Sequence, residues 1–219
     1  IQAAEKKDHV RSLELLTEGK IIAEENNLHR QLFWILTNIG INYAEMLDYS
    51  EALDNFLEAY KIALKNLDTR SEMSILNNIA GLYYLDRKND KAEEYYKKVF
   101  DYALEIQDST LIGGCALNMV LVANETKNIK EAEKYLEIAE SMIDKNLKSA
   151  NKLKSLKINN LILQEQYNKA EEMALELLPF LDNINDRDTK ISVLTSLALI
   201  NQEKSNIPQA AMYAKRILN

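Results

Sequence analysis

The chain of 219 residues is 47% hydrophobic, 28% charged and 7% aromatic, the balance of an ordinary folded protein and not of a disordered or collagen-like one. Its five Gly and two Pro are too few to punctuate a sandwich or barrel of short strands, which leaves helices. A net charge of -7 and a pI near 5.1 argue against binding a nucleic-acid backbone, which needs clustered Lys and Arg. No apolar run approaches the ~20 residues of a bilayer span and no signal segment opens the chain, so neither nucleic acid nor membrane is expected as a partner of this segment. Cys115 is alone, so no internal disulfide forms, which fits a reducing cytoplasm and is compatible with a periplasm. The chain starts on Ile1 and its apolar periodicity runs to Leu218 with no Pro/Gly/Ser-rich linker, so it reads as one continuous body cut from a longer protein.

In chain order, residues 1–28 carry Ser12, Leu16 and Gly19, the second half of a repeat unit. Residues 29–68 hold the first full copy, with Leu36, Ile39, Gly40 and Tyr43 on one stretch and Ala52, Phe56 and Ala59 on the next, each at helical spacing. Residues 69–108 repeat it at an offset of 40, so that Ala80, Tyr83, Ala92, Tyr96 and Val99 take the places of Gly40, Tyr43, Ala52, Phe56 and Ala59. Residues 109–146 add 40 again (Val120, Ala123, Ala132, Leu136, Ala139), residues 147–186 follow after 38 (Ile158, Leu161, Ala170, Ala174, Leu177), and residues 187–219 restore 40 (Ala198, Ala210, Ala214, Ile217). Each copy is a pair of helices. Capping residues mark the joints at Asp48, Asn89-Asp90, Asn128, Asn168 and Asn206, the last just before Ile207-Pro208. Ala52, Ala92, Ala132, Ala170 and Ala210 let the second helix lie close against the first, with a bulky residue one turn later in the first three copies.

Leu36-x-x-Ile39-Gly40-x-x-Tyr43 followed by Ala52-x-x-x-Phe56 resembles the tetratricopeptide-repeat pattern W-x-x-L-G-x-x-Y then A-x-x-x-F, and the resemblance covers nearly the whole chain. It departs in its period of 40, in Leu36 at the usual Trp place and in the missing late Pro, and the last copies match least. The extra residues add about 4.5 Å to each helix. Long repeats of this kind are similar to those of kinesin light chains and bacterial peptide-sensing regulators; HEAT and armadillo repeats also run ~40–47 residues, but the Gly/Ala-Tyr-Ala-Phe order favours the first reading. The resemblance implies an all-α, right-handed superhelical solenoid of helix hairpins, in which neighbouring repeats bury each other's apolar faces.

On a helical wheel the stripe Leu36, Ile39, Gly40 and Tyr43 faces the core, while Trp34, Asn38 and Ile41 fall on the opposite face, which lines the concave groove in the family it resembles. Adding 40 places Asn77, Asn78 and Gly81, then Leu117, Asn118 and Leu121, on the same face. Asn38, Asn78 and Asn118 recur at one position, and an amide there satisfies one C=O and one N–H of an extended peptide without reading its side chains. In the repeats it resembles, such Asn residues contact peptide backbone; inter-repeat hydrogen bonding is the structural alternative. Trp34, the sole Trp, would anchor a partner or pack under the preceding repeat. The candidate groove is therefore Trp34, Asn38, Ile41, Asn77, Asn78, Asn118 and Leu121.

Regular groove Lys and Arg, which chaperone-binding members use to clamp a terminal carboxylate, are missing. Lys145, Lys148, Lys152, Lys154 and Lys157 form a basic stretch, read as solvated helix ends, and Gly113-Gly114 reads as tight packing or a loose first turn. His9 and His29 are far apart, no metal or catalytic motif appears, and Cys115 on an apolar helix reads as core, so no enzyme, metal or cofactor is expected. The leading expectation is a peptide- or protein-binding module serving as the sensory or interaction domain of a bacterial signalling or transcription-regulatory protein, the Asn/Lys/Ile richness being that of an AT-rich source. The alternative is a scaffold or dimerisation element that forms a homodimer through its ends or convex side.

Overall fold

The computed structural model describes residues 2–142, 147–183 and 187–218, and among these there is no strand. Among the described residues eleven α-helices follow one another: α1 Gln2–Glu25, α2 His29–Glu45, α3 Tyr49–Asn66, α4 Thr69–Leu85, α5 Asn89–Glu105, α6 Ser109–Glu125, α7 Ile129–Met142, α8 Leu147–Leu163, α9 Tyr167–Leu177, α10 Arg187–Glu203 and α11 Ile207–Leu218, with a 3-10 turn at Leu178–Asn183. They are packed as consecutive hairpins, the all-α, TPR-like solenoid architecture that the repeat predicts. By contacts the chain falls into two compact units, residues 1–102 and 103–219. In the first, α1 packs on α2, α2 on α3 and α3 on α4. In the second, the hairpins α6–α7, α8–α9 and α10–α11 form, and the first helices α6, α8 and α10 lie side by side.

The seam inside each hairpin is built from the small residues. Ala52, Ala92, Ala132 and Ala170 are fully buried, and Phe56, Tyr96 and Leu136 one turn later are nearly so. A Cβ added at Gly40 would lie 2.5 Å from the Phe56 ring, so Gly is the residue that admits this ring between α2 and α3. The last hairpin differs. Ala210 is half-buried, Ala214 is exposed, and Tyr213 occupies the seam of α11 instead, joining the core of Ile158, Ala174, Leu177, Val193, Leu197 and Ile200.

The turns explain how so few Gly suffice. Leu47 adopts φ 64°, and the N–H of Leu47 and of Asp48 reach back to Ala44 O (3.0 Å) and Tyr43 O (2.9 Å), the Schellman closure of a helix end. Arg87, Lys127, Glu165 and Ser205 take the same left-handed conformation at the equivalent turns, as do Asn27 and Gln107 between hairpins, and none of the seven residues is Gly. The residue after the left-handed one fills the cap position of the following helix, which decides which of the expected caps are real. Asp48 accepts from Glu51 N (3.3 Å) and Asn128 from Glu131 N (3.3 Å). Asn89, Asp90 and Asn168 lie one step or more inside their helices, and Gln166 holds the cap position of α9 without a side-chain bond to the helix backbone. Asp68 and Asp108, between successive hairpins, also cap, accepting from Ser71 N (2.8 Å) and Leu111 N (2.9 Å).

Two substitution tests follow from the seam and the turns. Gly40→Ala should lower stability, because overpacking costs about 1–3 kcal/mol and outweighs a helix-propensity gain of about 1 kcal/mol. Gly114→Ala, where a Cβ would meet nothing within 4 Å, should raise it by up to about 1 kcal/mol; urea denaturation of both variants reads the difference in sign. Leu47→Gly should stabilise by about 0.5–1 kcal/mol, since the left-handed strain is relieved and a side chain 73% exposed loses little burial; a thermal midpoint that fell would contradict this.

Candidate functional site

In the first unit, burial separates the two sides of α2. Phe33, Leu36, Ile39 and Gly40 are buried, while Trp34 is 51% and Ile41 38% exposed and Asn38 is open to solvent. The Trp34 ring stands edge-on to Phe33, with centroids 5.2 Å apart, so its base is fixed by the core and its outer face is presented. Asn38 is partly engaged within its own helix, because its Nδ2 donates to Trp34 O at 2.7 Å. The Asn38 carbonyl accepts in turn from Asn42 Nδ2 (2.9 Å), and Asn42 Oδ1 contacts His9 Nδ1 of α1 at 3.1 Å. On α4, Asn77 and Asn78 are half-buried and Gly81 lies beside them on the helix.

In the second unit, α6, α8 and α10 enclose a half-open cleft of about 270 Å³. Leu121 of α6 and Leu156 of α8 supply apolar wall, and Lys152, Ser155 and Asn159 of α8 face them with polar groups. The first turns of α10 add Asp188, Thr189 and Ser192. Asn118 sits next to this lining, and its Oδ1 accepts from Lys152 Nζ at 3.4 Å.

A polar cluster joins α8 to α10 at the cleft. Ser155 Oγ donates to Ser192 Oγ (2.8 Å), Asn159 Nδ2 donates to the same Ser192 Oγ (3.3 Å), and Ser196 Oγ donates to Asn159 Oδ1 (2.8 Å). Further along the α6–α8 contact, Asn124 Nδ2 reaches Leu156 O (3.3 Å) and its Oδ1 accepts from Asn160 (3.2 Å), whose own Oδ1 accepts from Gln164 (2.6 Å). These amides satisfy buried helix surface where the earlier hairpins use hydrocarbon.

Of the groove residues expected from sequence, Leu121 lies in the cleft lining and Asn118 beside it, whereas Trp34, Asn38, Ile41, Asn77 and Asn78 are on α2 and α4 of the other unit. The cleft residues of α8 and α10 were not singled out from sequence, although the signal was present. Continuing the count from Trp34 through offsets of 40, 40, 38 and 40 reaches Lys152 and Ser192, and continuing it from Ile41 reaches Asn159. Of the basic stretch, Lys145 and the Lys148 side chain lie outside the described residues, Lys157 pairs with Glu140 (2.8 Å), and Lys154 is exposed. Cys115 is buried on α6, and burial pushes its thiol up to about 12, which leaves it protonated and unreactive at neutral pH. Gly113 is buried and Gly114 exposed. Among the described residues no three His, Cys, Asp or Glu side chains group to hold a metal, and no helix is long and apolar enough to cross a membrane.

A tetratricopeptide-repeat family model matches residues 73–105, the α4–α5 hairpin. No curated protein matches the chain. Among solved structures it is similar to BtubC (BKLC) from P. vanneervenii, with 14% identity and a TM-score of 0.71 over 98% of this chain and 89% of that one. It is also similar to a Podosopora anserina protein described as a kinesin light chain with nearly identical TPR-like repeats, at 13% identity and a TM-score of 0.62 over 83% of this chain and 91% of that one. At such identities the likeness speaks for the fold. Together with the repeat match in α4–α5, it supports a TPR-like helical-repeat fold for the chain.

Proposed function

We propose that the chain is a non-catalytic module that binds an extended peptide or protein segment along the outward face of the first helices of its hairpins. The observation that carries this reading is on α2, where Trp34 and Ile41, two turns apart, expose large apolar surface on the side opposite the core, with Asn38 between them. An aromatic anchor fixed at its base by Phe33 is the kind of residue that dominates binding energy, and an interleaved amide suits peptide main chain. The setting we infer is the sensory or interaction domain of a bacterial signalling or transcription-regulatory protein, in which ligand binding favours one arrangement of the hairpins and so repositions attached output. The second reading, a scaffold or dimerisation element, draws support from α1, where Leu15, Ile21 and Ile22 are more than half exposed.

Display of a random peptide library tests the first reading, and the sole Trp provides the reporter. Selected peptides should shift Trp34 emission to the blue on binding. Trp34→Ala or Ile41→Ala should weaken them at least tenfold, about 1.4 kcal/mol, with the fold unchanged by circular dichroism. Peptides that bind equally well without Trp34 and Ile41 would contradict the assigned face. A library that yields no binder, together with a dimer by sedimentation that Ile21→Glu dissociates, would establish the scaffold instead.

A further inference from the structure

Resting on the peptide reading of α2, we propose that the segment bound there is a polyproline-II stretch. It places a proline on Trp34, an aliphatic residue three places away on Ile41, and a lysine or arginine two places further on, near Glu45.

The spacing of the anchors selects the ligand backbone. Trp34 and Ile41 are seven residues apart on α2, which is about 10.5 Å along the axis and about 20° short of two full turns, so both side chains leave the helix on nearly one line. A ligand lying along that line must present side chains on one face at the same interval. Polyproline II does so every third residue, at about 9.3 Å. A β-strand does so at about 6.8 Å or about 13.6 Å, and misses the second anchor by about 3 Å or more in either case. Ser74 and Gly81 take the anchor places on α4, and Gly114 and Leu121 take them on α6, so paired large anchors are particular to α2 among these three helices and the segment read is short.

The amide between the anchors separates polyproline II from a helix, whose residues i and i+7 would match the interval equally well. Asn38 is exposed and spends one of its two Nδ2 hydrogens on Trp34 O (2.7 Å), which leaves a second N–H for a ligand. Carbonyls of a helix are bonded within it, whereas those of polyproline II have no internal partner and accept from such an amide. The Trp34 ring, 51% exposed and fixed at its base, offers the flat apolar surface on which a proline ring packs. A segment already held in polyproline II also loses little conformational freedom on binding.

Glu45 sets the charge of the ligand. It lies one turn beyond Ile41, about 6 Å further along α2, and its side chain is 58% exposed. His9 Nδ1 contacts it at 3.4 Å, but a carboxylate has several acceptor sites, so its open side accepts from a ligand cation as well. Two polyproline-II residues span about 6.2 Å, which puts that cation two places past the aliphatic residue. A threefold helix presents equivalent columns in both chain directions, so both orders of the motif fit this face.

The test is anisotropy of fluorescein-labelled peptides with the core Pro-Ala-Ala-Leu-Ala-Lys, or the same core reversed, titrated with the intact chain. One of the two orders should bind saturably with a Kd below about 1 mM, and moving Leu to two or four places from Pro should weaken it at least about fivefold. Ile41→Ala should level the three spacings, and Glu45→Gln should remove the preference for Lys over Glu in the peptide, each with an unchanged far-ultraviolet spectrum. Glu45 is exposed, so its variant keeps the test decisive should Ile41→Ala fail to fold. No saturable binding of either order, tighter binding of the two- or four-place peptides, or tighter binding of a helical peptide with Leu at i and i+7 would each overturn the proposal. Library peptides that need Trp34 and Ile41 but lack this spacing overturn it while leaving the α2 reading standing, whereas absence of any Trp34-dependent binder overturns both.

Discussion

The Phe56 ring occupies the space that any side chain at Gly40 would need, and this contact sets how closely α2 and α3 approach. From the second helices, fully buried alanines line the same seam at Ala52, Ala92, Ala132 and Ala170. Helices drawn together in this way exclude water from a narrow seam and bury large side chains such as Leu36, Ile79 and Val120 beside it. A single hairpin has too little interior to be stable alone, so the same requirement that closes each pair makes the next one necessary.

Each first helix spends one face on its own partner, and the face turned away from that seam is free to vary in chemistry. On α2 that face bears a large aromatic and a large aliphatic residue, an unusual thing to leave in water. On α8 and α10 it bears serines, an amide and opposite charges around a cleft. The two units thus present different chemistry from equivalent positions of one repeat. Within the second unit the polar residues also do structural service, since Ser155, Asn159, Ser192 and Ser196 bond α8 to α10.

Helix pairing was legible in the sequence because small and apolar residues recur at 40-residue intervals, and a period of that length is hard to produce without repeating structure. The turn geometry was not. Leu47, Arg87 and Glu165 stand where Gly would ordinarily announce a left-handed helix end, so the hydrogen-bonded closure left no compositional trace. For the same reason Asn89 and Asn168 look like caps in sequence yet lie inside their helices: the cap position is fixed by the preceding turn and not by residue type. At the fourth copy the offset slips to 38, and in the fourth and fifth copies hydrophobic anchors give way to Asn and Ser, which weakened the match where the cleft lies. Tyr213 in place of Ala210 and Ala214 belongs to the same drift.

The central claim, that recurring small residues close the hairpins from α2–α3 to α8–α9, is tested most directly in the α4–α5 pair. Equilibrium urea denaturation of Ala92→Leu, compared with Lys91→Leu at the exposed neighbouring position, isolates the seam from helix propensity and hydrophobicity. The account predicts a loss of about 1–3 kcal/mol for Ala92→Leu and little change for Lys91→Leu. Equal stability of the two variants would contradict it.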